Sequence, residues 1–144
     1  MNNIKRVSTK RQKEELEYKK IKEEKKAYMV ERKFYRCVFC NSKLDPENDD
    51  DVGWHHLDGR DGDLIKEWGN ITPAHNLCHS DFHHSSVGKL MDNSWYGHFI
   101  ERIQTAADKN EYFRRAYNGE LRRMQKGGVL DMEQYLNMFV NEDD

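Results

Sequence analysis

The chain has 144 residues, 36% hydrophobic and 35% charged, with 24 Lys+Arg against 26 Asp+Glu and a formal net charge of −2. That length suits one compact domain of ordinary size with a tail, and a mean hydropathy of −1.08 limits the core it can bury. No apolar run approaches the ~18 residues of a membrane span, so no membrane partner is expected, and three cysteines cannot pair into a full disulfide scaffold.

The N-terminus Met1-Asn2-Asn3-Ile4-Lys5-Arg6 has no apolar stretch behind its charges, so no secretory signal is expected and the compartment is expected to be reducing. Something other than a large core or disulfides must then hold the chain together. The net charge is unevenly spread. Residues 1–36 hold 13 Lys+Arg and 6 Asp+Glu, a balance of +7, and residues 37–144 hold 11 and 20, a balance of −9. A basic arm on an acidic body points to a polyanionic partner.

Three segments are expected. The first is a basic, Lys/Glu-rich helical arm over 1–36. Residues 9 to about 35 lack Gly and Pro and are mostly good helix formers. Apolar positions are sparse: Ile21, Tyr28 and Tyr35 recur every seven residues, with Leu16 and Tyr18 nearby. A solvated helix is the plainer reading of so thin a stripe, and heptad occupancy is too poor for a coiled coil.

The second segment, 37–90, is a small metal-stabilised core. Residues 37–84 carry all three cysteines, six of the seven histidines and both prolines. Asp45 to Asp51 is an acidic turn-forming loop. Val52-Gly53-Trp54-His55-His56-Leu57 suits a short strand, and Asp58 to Gly62 a turn. Asn70-Ile71-Thr72-Pro73 suits a second strand that Pro73 ends, and Asn76 is placed to cap a helix running towards Leu90. The third segment, 91–144, is helical and packs on the core. Trp95, Phe99, Ile103 and Ala106/Ala107 share one face, continued by Tyr112, Phe113, Ala116, Tyr117, Leu121 and Met124 after a break near 108–110. Asp131 looks like the N-cap of a last helix with Tyr135, Leu136, Phe139 and Val140 on its buried side. The fold class expected is α+β and mostly helical.

Cys37-Val38-Phe39-Cys40 is a C-x-x-C pair, and His75-Asn76-Leu77-Cys78 is an H-x-x-C pair. Two such pairs bring four ligands into a tetrahedron around a structural Zn²⁺, a staple suited to a small core. Thioredoxin-type redox chemistry lacks its βαβ setting here. His75 is the least certain of the four, because His79, His83 and His84 lie close by. A second set remains. His79 and His83 are four apart, so on a helix they share a face and can grip one ion. His55 can join them from the strand. Neighbours in a strand point to opposite sides, so one of His55 and His56 can hold the ion while the other addresses water or substrate. Three protein ligands leave coordination positions open, the mark of a catalytic metal.

The order C-x-x-C, His55-His56, Asn70, Cys78-His79-x-x-x-His83 resembles the HNH endonuclease family, whose core is a ββα-metal finger. The stretch Asn70 to His79 fits that pattern, with His75 where a Cys is more usual. The likeness covers residues 37–90. The Lys-rich helix before the knuckle and the helices after it also resemble phage recombination endonucleases of the Rap/NinG type. The resemblance implies a metal-dependent nuclease, with His55, His79 and His83 holding the catalytic ion and His56 as general base. It implies that Asn70 positions the base-bearing strand and loop; Asn76 competes for that role. Neutral His56 suits proton abstraction near physiological pH. Imidazole ligands favour Zn²⁺, Mn²⁺ or Ni²⁺, whereas the family commonly uses Mg²⁺.

The partner implied is DNA, duplex or branched, with RNA and a second copy of the chain left open, in the cytoplasm of a bacterial or phage-infected cell. Candidate phosphate contacts are Arg60, Lys19, Lys20, Arg32 and Arg36, with Arg114, Arg115, Arg122 and Arg123. For Arg60, a structural pairing with Asp61 or Asp63 is the alternative. The competing reading of the whole chain is a zinc-stabilised nucleic-acid-binding or protein-interaction module without catalysis.

Overall fold

The fold was obtained as a computed structural model that describes residues 9–142. The expected arm begins at residue 1, so its first eight residues, Lys5 and Arg6 among them, lie outside the described residues. A helix α1 (Thr9–Glu31) leads, and a two-stranded antiparallel sheet of β1 (Val52–His56) and β2 (Ile71–His75) follows. Five helices come after it: α2 (Asn76–His84), α3 (Val87–Met91), α4 (Tyr96–Ala106), α5 (Glu111–Lys126) and α6 (Met132–Met138). The expected α+β, mostly helical class therefore holds.

Helix α1 ends at Glu31 rather than near residue 35. Lys33 takes a left-handed φ of 61°. The Phe34 N–H donates to the Met29 carbonyl at 3.0 Å and the Lys33 N–H to the Val30 carbonyl at 3.1 Å, which closes the helix as a Schellman motif. The helix is not merely solvated. Met29 and Lys25 are buried, and Lys25 Nζ donates to the carbonyls of Trp68, at 2.6 Å, and of Ile71. Lys26 reaches Asp49 at 2.6 Å, and Lys66 reaches Glu17 at 2.8 Å. Part of the arm's charge is therefore spent on docking it to the body.

In the sheet, Val52 pairs with His75, Trp54 with Pro73, and His56 with Ile71. Pro73 does not end β2. Its carbonyl accepts from the Val38 N–H at 2.9 Å, so its backbone faces away from β1, the edge position where a missing N–H costs nothing. Asn76 is not a cap either: His75 takes the N-cap position, and the Asn76 side chain donates to the Asp50 carbonyl at 2.6 Å. The helix expected through Leu90 breaks at Ser85-Ser86. Ser86 caps α3, and Arg123 from α5 donates to the Ser85 carbonyl at 2.5 Å.

One cluster of buried side chains runs from Met29 through Cys37, Phe39 and Phe82 to Phe99, Ile103, Leu121 and Met124, joining all three expected segments. Asn110 caps α5, accepting from the Tyr112 and Phe113 N–H groups. Asp131 caps α6 in a capping box with Gln134. The buried side expected of α6 is only partly there. Tyr135 and Val140 pack on the core, but Leu136 is 64% and Phe139 38% exposed, because the short helix touches the body along one edge.

Candidate metal centres

The C-x-x-C pair sits in a tight hairpin. The Cys37 N–H donates to the Ser42 carbonyl and the Asn41 N–H to the Cys37 carbonyl, both at 2.9 Å. An Arg36–Lys43 bridge closes its base, and the Val38–Pro73 hydrogen bond ties it to β2. His75 ends β2 and Cys78 lies in the first turn of α2. These elements bring one ligand atom each from Cys37, Cys40, His75 and Cys78 within 4.8 Å of one another. Cys40 Sγ is 3.3 Å from His75 Nδ1. A tetrahedral ion with Zn–S of about 2.3 Å and Zn–N of about 2.05 Å sets that edge at about 3.5 Å, so the cluster can hold a structural metal such as zinc. Burial pushes the Cys37 and Cys78 thiols up. Burial opposes ionisation of Cys40 as well, but hydrogen bonds from Ser42, Cys37 and His75 bring it down to about 7. Three clustered thiols resist becoming thiolates together unless a cation joins them.

The second cluster comprises His55 from β1 with His79 and His83 from α2, again within 4.8 Å. His79 Nε2 and His83 Nε2 are 3.0 Å apart, close to the edge set by two nitrogens each about 2.1 Å from one ion. His55 is 6% exposed, and burial together with the nearby His79 and His83 lowers its pKa to about 3. Burial lowers His79 and His83 too. Three neutral imidazoles facing one point, with no carboxylate among them, form a donor set suited to a divalent ion. The set is open: His83 is exposed, whereas no member of the cysteine cluster is.

His56 points to the other side of the strand. Its Nε2 lies 3.1 Å from the Ile65 carbonyl. A carbonyl only accepts, so Nε2 carries the proton and Nδ1 keeps a lone pair. Burial, with Arg60 and Lys22, lowers its pKa, against the opposing pull of the Ile65 carbonyl. The neutral form is therefore the resting one near pH 7. Asn70 is fully buried. Its Oδ1 accepts from the Asp58 N–H at 2.7 Å, and its Nδ2 donates to the Gly59 and Leu64 carbonyls at 2.9 and 2.8 Å. It thus staples the loop that leaves the His55-His56 strand.

The basic residues divide. Arg115 pairs with Asp58 at 2.9 Å, Arg122 with Glu142 at 4.0 Å and Arg123 with Glu120 at 3.5 Å, so these three are engaged within the fold. Arg114 is half-buried on α5. Arg36 donates to the Asn41 carbonyl at 2.9 Å, and Arg32 lies 3.7 Å over the Tyr28 ring. Lys19 and Lys20 are exposed, Lys20 being 3.9 Å from Glu24. Arg60 is exposed and sits 5.8 Å over the Tyr18 ring rather than pairing with Asp61 or Asp63. A cavity of about 320 Å³ opens beside His55, with Asp58, Arg115, Glu120 and Arg122 in its wall.

Three contributors escape motif reading. Phe39, between the two cysteines, stacks its ring 5.0 Å from His55 and 6.2 Å from His79. Arg102 donates to the Val38 and Phe39 carbonyls, both at 2.6 Å. Tyr18 of α1 lies 5.4 Å from the His56 ring. Only the apolar character of Phe39 gave a local signal; the other two depend on tertiary docking. No family model, curated protein or solved structure matches this chain.

Proposed function

We propose that the chain is a metal-dependent HNH-type endonuclease that hydrolyses DNA phosphodiester bonds, with a structural Zn²⁺ in the cysteine cluster. The observation that carries the reading is the division of labour on β1. His55 faces the open histidine cluster, while His56 keeps a free Nδ1 on the opposite side, and Asn70 braces the loop between strand and turn. Phosphodiester hydrolysis needs a base for the attacking water, and neutral His56 can take that proton on Nδ1. His55, His79 and His83 would hold the catalytic divalent ion, Mg²⁺, Mn²⁺, Ni²⁺ or Zn²⁺, which when bound supplies Lewis acidity and charge neutralisation at the phosphate. Asn70 acts by position. Arg60 is the nearest exposed cation on the loop after His56, suited to a phosphate contact. A role in phage recombination or DNA processing fits a basic arm docked against an acidic body.

The test is cleavage of supercoiled, linear, single-stranded and branched DNA, with RNA in parallel, across the four metals. His56→Ala should abolish cleavage while circular dichroism and metal content stay unchanged. Wild type indistinguishable from His56→Ala sinks the proposal. A second reading, the zinc-stabilised binding module without catalysis, is favoured by one observation: His56 is only 8% exposed, with Tyr18 against it. Nucleic-acid binding without cleavage under every metal would select it.

A further inference from the structure

A large cleft lies between the end of α1, the strand-entry turn at Trp68 and the helices α4 and α5; Cys37 and Val38 of the cysteine hairpin form part of its wall, and no member of the histidine cluster does. It has a volume of about 850 Å³. Three large rings line it: Tyr28, Phe34 and Trp68, which are 39%, 41% and 40% exposed. Three neighbouring, partly exposed aromatics are the kind of apolar grouping that marks a binding surface. The Phe34 and Trp68 rings stand edge-on to Tyr28, at 5.8 and 5.5 Å between centroids, so the group presents ring surfaces in more than one direction. Backbone supports it: the Schellman turn fixes Phe34, and the Lys25 amine holds the Trp68 carbonyl from below.

The charge of the lining is the second observation. Lys25, Arg36, Arg102 and Lys109 line the cleft against the single acid Glu101; none of the four forms an ion pair with a carboxylate among the described residues, although Lys25, Arg36 and Arg102 donate to the backbone carbonyls of Trp68 and Ile71, of Asn41, and of Val38 and Phe39. Arg32 lies 3.7 Å over the Tyr28 ring and the Lys25 amine 5.7 Å over the Trp68 ring. A net positive, ring-lined cleft, built jointly by Lys25, Tyr28, Phe34 and Arg36 of the basic arm and by residues of the acidic body, is complementary to a polyanion that carries π-faces. That chemistry belongs to an unpaired nucleic-acid strand: aromatic rings take the bases and the cations track the phosphates. A duplex hides its base faces and would leave the rings unused. We infer that this cleft binds a single-stranded segment of the substrate by stacking on Tyr28, Phe34 and Trp68. The inference rests on the nuclease reading for its setting, and directs that reading towards substrates with unpaired strands, such as flaps and branches.

Binding is measured apart from cleavage, by fluorescence anisotropy of the full-length His56→Ala protein with a labelled thymidine oligonucleotide of about 12 nucleotides. A blunt duplex of equal length serves as the comparison. Trp68→Ala and Phe34→Ala, each added singly, should raise the single-strand Kd at least about fivefold, with the duplex Kd and the melting curve little changed. Arg36→Ala with Lys109→Ala should instead flatten the salt dependence of single-strand binding. The inference is overturned if no single strand binds, if both ring variants bind it as the parent does, or if single strand and duplex weaken equally. The first two of these outcomes leave the cleft to a protein partner. The two proposals fail separately. A wild type that cuts DNA while the ring variants bind normally removes the cleft alone. Loss of strand binding in the ring variants of a protein that never cuts removes the nuclease reading alone.

Discussion

Asn70 offers the sharpest perturbation, because its side chain is fully buried and makes three hydrogen bonds into one loop. Asn70→Ala deletes all three. Each net bond is worth about 0.5–1.5 kcal/mol, but the Asp58 and Gly59 groups lie near solvent and recover water partners. The expected cost is therefore near the low end of the sum, about 2 kcal/mol, or roughly 6–8 °C in melting temperature for a chain of this size. Asn70→Asp keeps the acceptor for the Asp58 N–H but turns a carboxylate oxygen towards the Gly59 and Leu64 carbonyls. At pH 7 this variant should be the worse of the two, since a buried charge faces two oxygens. The site raises that carboxyl's pKa in the folded state. The penalty is then absent below the unfolded aspartate value of about 3.9 and grows as pH rises towards the folded value. Thermal melts at pH 4 and 7, with hydrogen exchange across 57–64, read both effects. Asn70→Asp equal to or better than Asn70→Ala at pH 7, or unchanged exchange in the loop, would refute the staple.

Gly53→Ala would place a Cβ 2.9 Å from Asn76 Oδ1 and 3.2 Å from His79 Nδ1; by shifting the His79 ring it should weaken the proposed histidine-cluster ion, so on that reading metal analysis should show fewer ions per chain than wild type. Cys37→Ser should release zinc and lower the melting temperature by more than 10 °C, on the order of several kcal/mol for a structural zinc; unaltered metal content and melting would exclude the cysteine assignment. Burial lowers Lys25 to about 8. The unfolded lysine thus binds more protons than the folded one between about pH 8 and the ordinary value near 10.4, and this group's contribution to stability rises with pH across that window. The gain is bounded at about 3 kcal/mol, reduced by the Trp68 and Ile71 carbonyls that also favour the charged amine, and a stability difference between wild type and Lys25→Met that stays flat from pH 8 to 10 would contradict it.

Metal-ligand spacing was the legible part of this sequence. The pairs at 37/40 and 75/78, and the i,i+4 histidines, state their geometry in local chain terms, and the structure brings both sets together. Asn70 was legible only through the family pattern, since nothing local predicts three loop hydrogen bonds. Boundaries were misread where tertiary contacts outweigh local preference. Pro73 continues β2 because its strand is an edge, and Asn76 gives up the cap to reach Asp50. The arm misled most. Its Lys/Glu composition reads as solvated, yet Lys25, Lys26 and Glu17 each find a partner on the body. Likewise Arg115, Arg122 and Arg123 look like a basic patch in sequence but neutralise acids on their own or neighbouring elements.

Phe39 gives the two metal clusters a mechanical order. Its backbone lies between Cys37 and Cys40 and is held by Arg102, so a metal bound by those cysteines would limit where the ring can go. The ring is fully buried and packs against His55, His79, Phe82, Trp95 and Phe99. The knuckle therefore supplies part of the floor on which the histidine cluster rests. That packing is mutual, but among the described residues His55, His79 and His83 add no ligand to the cysteine cluster. Loss of a metal from the cysteine cluster should then loosen the histidines, whereas displacement of the His79 ring removes packing but no cysteine-cluster ligand and should leave that cluster able to hold its ion. A metal held by the cysteine cluster would therefore give a small, charge-rich chain more than local stability: the staple that compensates for a limited core would also set the packing beneath the histidine cluster.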